Sequence, residues 1–236
     1  MSSQSFVWLV TGASRGLGFE LTRQLLTSAS NTVIACCRNP NSATKLHALQ
    51  SSAGKLHLIS MDVGSEQSMR DSVGMVDAIL AGRGIDYLYN NAGIALTDDT
   101  PYNFSYSELL EELKINLAGP ALLGQLYLPH VEKSQRKVIV NVSSSLGSIG
   151  SDKGTKYATY CITKTAVNML TYKQSKTRPD ITVIALDPGF VKTDLAGPNA
   201  DLEPEESICG VLKVVTSVSI ADTGKFFGYN GRELPW

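Results

Sequence analysis

The chain reads as a doubly wound α/β domain: a seven-stranded parallel sheet with helices on both faces. Three observations predict this. Strand-like apolar runs alternate with helical segments from end to end, which the right-handed crossover rule converts into parallel pairing. The first run, Phe-Val-Trp-Leu-Val at 6–10, is continuously apolar, as expected of a strand covered on both faces. The length, 236 residues, suits one domain spanning 1–236 and leaves little room for a second.

Composition narrows the function classes. The chain is 43% hydrophobic and 18% charged, with a formal net charge of −1, as in ordinary soluble proteins. It has no basic run, which argues against a nucleic-acid partner. No apolar stretch reaches membrane-spanning length, so a membrane role is not expected. The start, Met-Ser-Ser-Gln-Ser, lacks the charged and apolar regions of a signal peptide, so the expected location is cytoplasmic. Cys36, Cys37, Cys161 and Cys209 form no Cys-x-x-Cys pair, and free thiols suit an intracellular setting. His47, His57 and His130 are scattered without metal-ligand spacing, so no metal is expected.

After the first strand comes Thr11-Gly12-Ala13-Ser14-Arg15-Gly16-Leu17-Gly18, then an amphipathic helix to about Leu26. Glycines between a strand and a helix let the backbone approach a pyrophosphate at the helix's positive end. The strand and helix on either side are the context this motif requires. A second strand covers 32–37. At its end, 20 residues beyond Gly18, stands Arg38, where an NAD-binding chain carries an acid for the ribose 2′-hydroxyl. A forked guanidinium pairs instead with a 2′-phosphate, and Arg15 lies within reach of the same group. Each arginine alone reads equally as a solvated charge. Together, with no acid between them, they favour NADP(H).

A helix at about 41–50 and a third strand at 55–61 follow. Asp62-Val63 then offers a carboxylate to the adenine amino group, or caps the next helix (about 66–80) in competition with Ser65. A fourth strand, 85–89, closes on Asn90-Asn91-Ala92-Gly93, whose small residues let the chain pass close to a ligand. Residues 94–104 form a loop beyond the carboxyl end of that strand. A long helix at about 107–128 contains Asn116 and Pro120. The proline cannot donate to the carbonyl of Asn116, so a kink is expected there, either purely structural or freeing an oxygen to hold a water. The fifth strand, 137–142, ends in Ser143-Ser144-Ser145, residues that also commonly form turns.

The helix at about 155–176 carries Tyr160 and Lys164 one turn apart on one face. A cation beside a phenol favours the phenolate, so such a pair exchanges a proton with a carbonyl or alcohol oxygen. Tyr172 and Lys176 match the same spacing. Only the first pair follows a strand-end serine by one loop; the second lies about 18 Å further along the helix. A sixth strand at 181–186 leads into Asp187-Pro188-Gly189-Phe190-Val191-Lys192-Thr193. A polar stretch at 199–206, a helix at about 204–217 and a strand at 225–229 complete the chain. The apolar Leu234-Pro235-Trp236 ending is expected to dock.

In this order the motifs make the chain resemble the short-chain dehydrogenase/reductase family along nearly its whole length. They are Thr11-Gly12-x-x-x-Gly16-x-Gly18, Asn90-Asn91-Ala92-Gly93, Asn116, a serine after the fifth strand with Tyr160-x-x-x-Lys164, and Pro188-Gly189. Cys37-Arg38-Asn39 and the ending Glu233-Leu-Pro-Trp236 are most similar to the sniffer-type, C-factor-like carbonyl reductases. The resemblance implies a Rossmann fold, NADP(H) and a homodimer formed by helices packing face to face. It implies that Gly12, Ser14, Arg15, Gly16, Leu17 and Gly18 surround the pyrophosphate and adenosine ribose. It assigns the 2′-phosphate to Arg38, the adenine to Asp62 and Val63, and the approach to the nicotinamide to Asn90, Ala92 and Gly93. Pro188, Gly189, Val191 and Thr193 would hold the nicotinamide end. Tyr160 would be the acid-base, Lys164 the ribose ligand that lowers the phenol's pKa, and Asn116 the residue positioning a water. Ser144 would hold the substrate oxygen, with Ser143 and Ser145 as alternatives.

The 16 residues from Ser144 to Tyr160 exceed the usual family interval, and the extra length is placed at 150–155. Substrate loops are expected at about 94–106, 145–157 and 190–206. Leu96, Leu146, Ile149, Tyr157 and Phe190 are candidate substrate contacts, suggesting an apolar or aromatic ketone, aldehyde or quinone, or the matching alcohol; each also suits ordinary core packing. A catalytically silent NADP-binding sensor or scaffold is the alternative, and it would be marked by a broken Tyr/Lys pair. A dehydratase or epimerase of the extended branch needs more than the roughly 40 residues that follow Thr193.

Overall fold

The computed structural model describes residues 5–236; residues 1–4 of the expected domain lie outside the described residues. Seven strands form one parallel sheet in the order β3-β2-β1-β4-β5-β6-β7. They are β1 (Phe6–Thr11), β2 (Asn31–Cys37), β3 (Lys55–Ser60), β4 (Tyr87–Asn90), β5 (Val138–Val142), β6 (Thr182–Asp187) and β7 (Phe226–Gly228). The order reverses between β1 and β4, and sheets of this kind bind ligands at the carboxyl ends of the strands beside that reversal.

Strand alternation sends Trp8 and Val10 of β1 to one face and Val7 and Leu9 to the other, all buried. Helices α1 (Gly16–Leu25) and α7 (Pro204–Ser217) cover the first face through Leu21, Leu25, Ile208 and Val211. Helices α3 (Glu66–Leu80) and α5 (Gly119–Glu132) cover the second through Met69, Val76, Leu123 and Tyr127. Helix α6 (Ala158–Thr177) joins this second face, where Asn141 of β5 donates to Thr171 at 3.0 Å. The tail docks, as its composition suggests. Leu234 N–H reaches the Phe226 carbonyl at 2.8 Å, and the Trp236 ring stacks 5.6 Å from Phe226.

Two expected helices differ. The helix expected at 41–50 is one short turn, α2 (Thr44–His47), between 3₁₀ turns at Pro40–Ser42 and Ala48–Ser51. The backbone at Ala43, φ −81° and ψ 62°, leaves the helical region and interrupts it. The helix expected at 107–128 is α4 (Tyr106–Leu113), a π turn at Lys114–Ala118, then α5. Gly119 N–H bonds five residues back to the Lys114 carbonyl, so the chain widens just before Pro120, which has no donor to offer. The expected kink thus takes the form of a π turn, with Asn116 inside it. Ser65, not Asp62, caps α3 by accepting from Ser68 N–H.

Gly147, in the turn after β5, is where the loop presses against α6. A Cβ there would sit 2.6 Å from the Lys164 backbone carbon and 2.7 Å from its Cβ. Gly147→Ala is therefore expected to cost about 1–3 kcal/mol by overpacking, read from the urea midpoint at unchanged m. An unshifted midpoint would show that the helix yields freely at this point.

Candidate active site

A cleft of about 430 Å³ opens at the carboxyl edge of the sheet beside the β1/β4 reversal. One end is built from the turn after β1. Gly12 and Gly16 take positive φ (65° and 53°), which a side chain would strain, and Ser14, Arg15 and Leu17 line the wall with them. Helix α1 starts here with no side chain capping it and no acid in its first turn. Its first amide groups are left for an anion, the arrangement that holds a pyrophosphate. Cys37, Arg38, Asp62 and Val63 line the same end. A second hollow of about 390 Å³ adjoins it, lined by Arg15, Arg38, Ser42 and Lys45 among others, a basic setting that fits a phosphate.

Two expected residues do not face the cleft. Gly18 is buried: a Cβ there would meet the Gly12 carbonyl oxygen at 2.4 Å, so its smallness serves turn-to-helix packing. Asn90 lies within the sheet, donating to Asn141 Oδ1 at 2.9 Å. The wall at that point is the next residue, Asn91, which donates to the Thr11 carbonyl at 2.9 Å and so ties β4 to the glycine turn. Ala92 and Gly93 do line the cleft. A Cβ on Gly93 would stand 3.2 Å from Asn116 Oδ1 and 3.5 Å from Lys164 Nζ.

At the other end Ser144, Tyr160 and Lys164 converge with Pro188, Gly189, Val191 and Thr193. Lys164 is 3% exposed, donates to the Val142 carbonyl at 2.9 Å and lies 5.5 Å from the Tyr160 ring centre. Burial pulls its ammonium down to about 8, only partly offset by the charges of Asp187 and Glu112. Burial also pushes the Tyr160 phenol up, and Asp187 and Glu112 add to this. The influence that pulls the phenol back down is the bond with the Ser144 side chain. The matching pair differs in setting. Tyr172 is 41% exposed, with Lys176 5.1 Å above its ring.

The serine triplet is separated by what each residue already does. Ser143 spends its hydroxyl on Asn168 Oδ1 at 2.6 Å. Ser145 opens the 3₁₀ turn Ser145–Gly147 and is not on the cleft wall. Ser144 Oγ accepts from Leu146 N–H at 3.2 Å, lines the cleft, and its side chain bonds with the Tyr160 phenol. Asn116 is buried beneath the wall, not on it. Its side chain exchanges two bonds of 2.8 Å with the backbone of Ile94 and donates to Thr163 Oγ1 at 3.1 Å.

Of the five expected substrate contacts, Leu96 lines the cleft, while Leu146, Ile149, Tyr157 and Phe190 do not. Tyr157, in the left-handed region at φ 55°, starts α6, and Phe190 is half exposed at the mouth. The apolar wall comes instead from Ile94, Ala95, Leu195 and Ala196 beside Leu96. Asp187 is a wall residue that motif spacing missed; it accepts from Gly189 N–H at 3.0 Å. Among the described residues no cluster of His, Cys, Asp and Glu is arranged to hold a metal.

These features define a dinucleotide-binding oxidoreductase site, and the chain belongs to the short-chain dehydrogenase family, whose model matches residues 7–203. It is similar to an NADPH-bound carbonyl reductase from chicken fatty liver: 33% identity, 99% of this chain and 100% of that one covered, TM-score 0.93. The carbonyl reductase Sniffer of D. melanogaster superposes with TM-score 0.93 at 28% identity, covering 99% of this chain and 100% of that one. The short chain dehydrogenase gsfK of Penicillium aethiopicum is 31% identical, over 97% of this chain and 98% of its own.

The buried ammonium gives a pH test. The unfolded lysine titrates near 10.5 and the folded one near 8. Between those values the unfolded chain binds more protons, so stability rises with pH. Wild type is expected to gain up to about 3 kcal/mol on Lys164→Met between pH 8 and 10.5, measured as the difference in urea unfolding free energies. A pH-independent difference would mean that Lys164 is solvated.

Proposed function

We propose that the protein is an NADP(H)-dependent carbonyl reductase of the short-chain type, interconverting a ketone or aldehyde with its alcohol. The observation that carries this is the convergence of Ser144, Tyr160 and Lys164 on one wall of a cleft whose other end combines an uncapped helix with two arginines. When bound, NADPH supplies the hydride. Arg38 and Arg15 would hold its 2′-phosphate, and the amide groups at Gly16 and Leu17 its pyrophosphate. Lys164, held by the Val142 carbonyl, would bind its nicotinamide ribose. Ser144 Oγ donates to the substrate oxygen, and the neutral Tyr160 phenol gives that oxygen its proton as negative charge develops. Asn116 acts through structure, fixing Ile94 and the start of the substrate wall.

The loops at about 94–106, 145–157 and 190–206 form the substrate rim, and the wall of Ile94, Ala95, Leu96 and Leu195 suits an apolar or aromatic carbonyl compound. A homodimer is supported by exposed apolar residues on two adjacent helices: Tyr106 and Leu110 of α4, with Ile162, Met169 and Tyr172 of α6. Among the described residues no helix is long and apolar enough to cross a membrane, in keeping with a cytoplasmic enzyme.

Tyr160→Phe is expected to cut carbonyl-dependent NADPH oxidation by roughly a hundredfold or more with NADPH affinity unchanged, the scale of lost acid-base catalysis. Unaltered turnover in that variant would favour the silent sensor or scaffold. Arg38→Asp should weaken NADPH by about ten- to a hundredfold, the worth of a charge-assisted bond, and spare NADH. Equal losses for both cofactors would place the 2′-phosphate elsewhere.

A further inference from the structure

The substrate wall is hung on a ladder of side chains that the catalytic motifs leave out. Glu108, Glu112 and Asn116 recur every four residues and so share one face of α4 and the π turn. The loop after β4 runs along this face in the opposite direction. Ile94 exchanges two backbone bonds with the Asn116 amide, each 2.8 Å. Leu96 N–H donates to Glu112 Oε1 at 2.8 Å. Thr97 Oγ1 donates to Glu108 Oε2 at 3.3 Å. The loop then reaches Asp99, which accepts from Thr159 N–H at 3.2 Å and Thr159 Oγ1 at 2.6 Å. Thr159 precedes Tyr160, so the wall and the acid-base helix are joined through one buried chain of contacts.

Glu112 is the unusual rung. Its residue exposure is 0%, and its second oxygen, Oε2, is buried without a partner. An ionised carboxylate left so would be costly. Burial pushes this carboxyl up, the bonds from Leu96 N–H and Thr159 pull it down, and the neighbouring Asp99 and Glu108 push it up again. A buried acid is an expensive way to hold one loop amide, and Leu96 is a cleft-lining residue.

We propose that Glu112 is a positioning residue for the substrate: by holding Leu96 N–H it fixes the apolar wall opposite Tyr160, while the Asp99–Thr159 contacts keep wall and helix in register. This deepens the carbonyl-reductase reading and rests on it. The role needs a hydrogen-bond acceptor and the right side-chain length. Glu112→Gln supplies both. Glu112→Met keeps the length and removes the acceptor.

The experiment pairs two readouts on full-length protein. Hydrogen exchange of the segment 94–99, which requires no turnover, should be like wild type in Glu112→Gln and about tenfold faster in Glu112→Met, as for a loop released from its anchor. Steady-state kinetics with NADPH and phenanthrenequinone should show KM for the quinone raised about fivefold or more in Glu112→Met, the scale of one lost hydrogen bond. KM for NADPH should stay unchanged, and Glu112→Gln should restore the quinone KM. A merely structural rung would move stability without that split. Slow exchange and unchanged quinone KM in a folded Glu112→Met overturn the proposal. So does a Glu112→Gln variant whose exchange and KM depart from wild type, whether or not the methionine variant folds. If wild type reduces no carbonyl compound at all, the reductase reading fails, and the exchange contrast still decides whether Glu112 holds the loop.

Discussion

A lysine ammonium buried at the end of a β-strand is the constraint around which this site is arranged. Taking a charge out of water costs free energy unless partners replace the water. Lys164 has one close partner, the Val142 carbonyl, with the charges of Asp187 and Glu112 acting from further away. The turn after β5 approaches this closely only because Gly147, which lies against the lysine's own backbone, lacks a side chain. The same burial pushes the Tyr160 phenol up, further from the phenolate. A buried cation whose pKa falls to about 8 is poised to respond to an anionic neighbour.

The rest of the cleft divides into a stiff floor and a loose rim. The floor is the wall segment starting at Ile94, fastened by buried Asn116, Glu112 and Asp99 to helices on either side. The rim is exposed: Ile149 is 81% accessible, and Lys156 closes onto Asp98 through a surface ion pair of the kind that contributes little. Chemistry is thus held on rigid elements while the groups meeting the outer part of a substrate remain adaptable. This fits a reductase whose acid-base geometry is strict and whose substrate range is set by the mouth.

The sheet, and the placing of Tyr160 and Lys164 together on the cleft, were legible because they rest on local patterns. A continuous apolar run, a glycine turn and a helix need no distant information, and Tyr160 and Lys164 declare themselves by one turn of helix. What failed depends on how neighbours pack. Asn90 and Asn91 are adjacent and chemically identical, and only strand pleating decides that Asn90 bonds Asn141 inside the sheet while Asn91 faces the cleft. Gly18 was read as a phosphate ligand, whereas its missing side chain makes room for the Gly12 carbonyl. Pro120 announced a break in the long helix, but not that it would take the form of a π turn. The substrate contacts proved least legible, since Leu146, Tyr157 and Phe190 sit in loops whose paths follow tertiary contacts. Glu112 did leave a sequence signal, the four-residue spacing with Glu108 and Asn116, but that spacing is common on helices and gains meaning only from the loop lying across it.

The central claim is that this cleft passes hydride directly from a nicotinamide to a carbonyl carbon beside Tyr160. Its most direct test is reduction of an aromatic ketone or aldehyde with NADPH deuterated at ring carbon 4, in each of its two stereochemical forms, followed by mass spectrometry of the alcohol. Direct transfer on one face of the ring predicts a single deuterium on the carbinol carbon from one form and none from the other. An alcohol free of deuterium with both forms, or no alcohol at all across the carbonyl panel, would contradict the assignment.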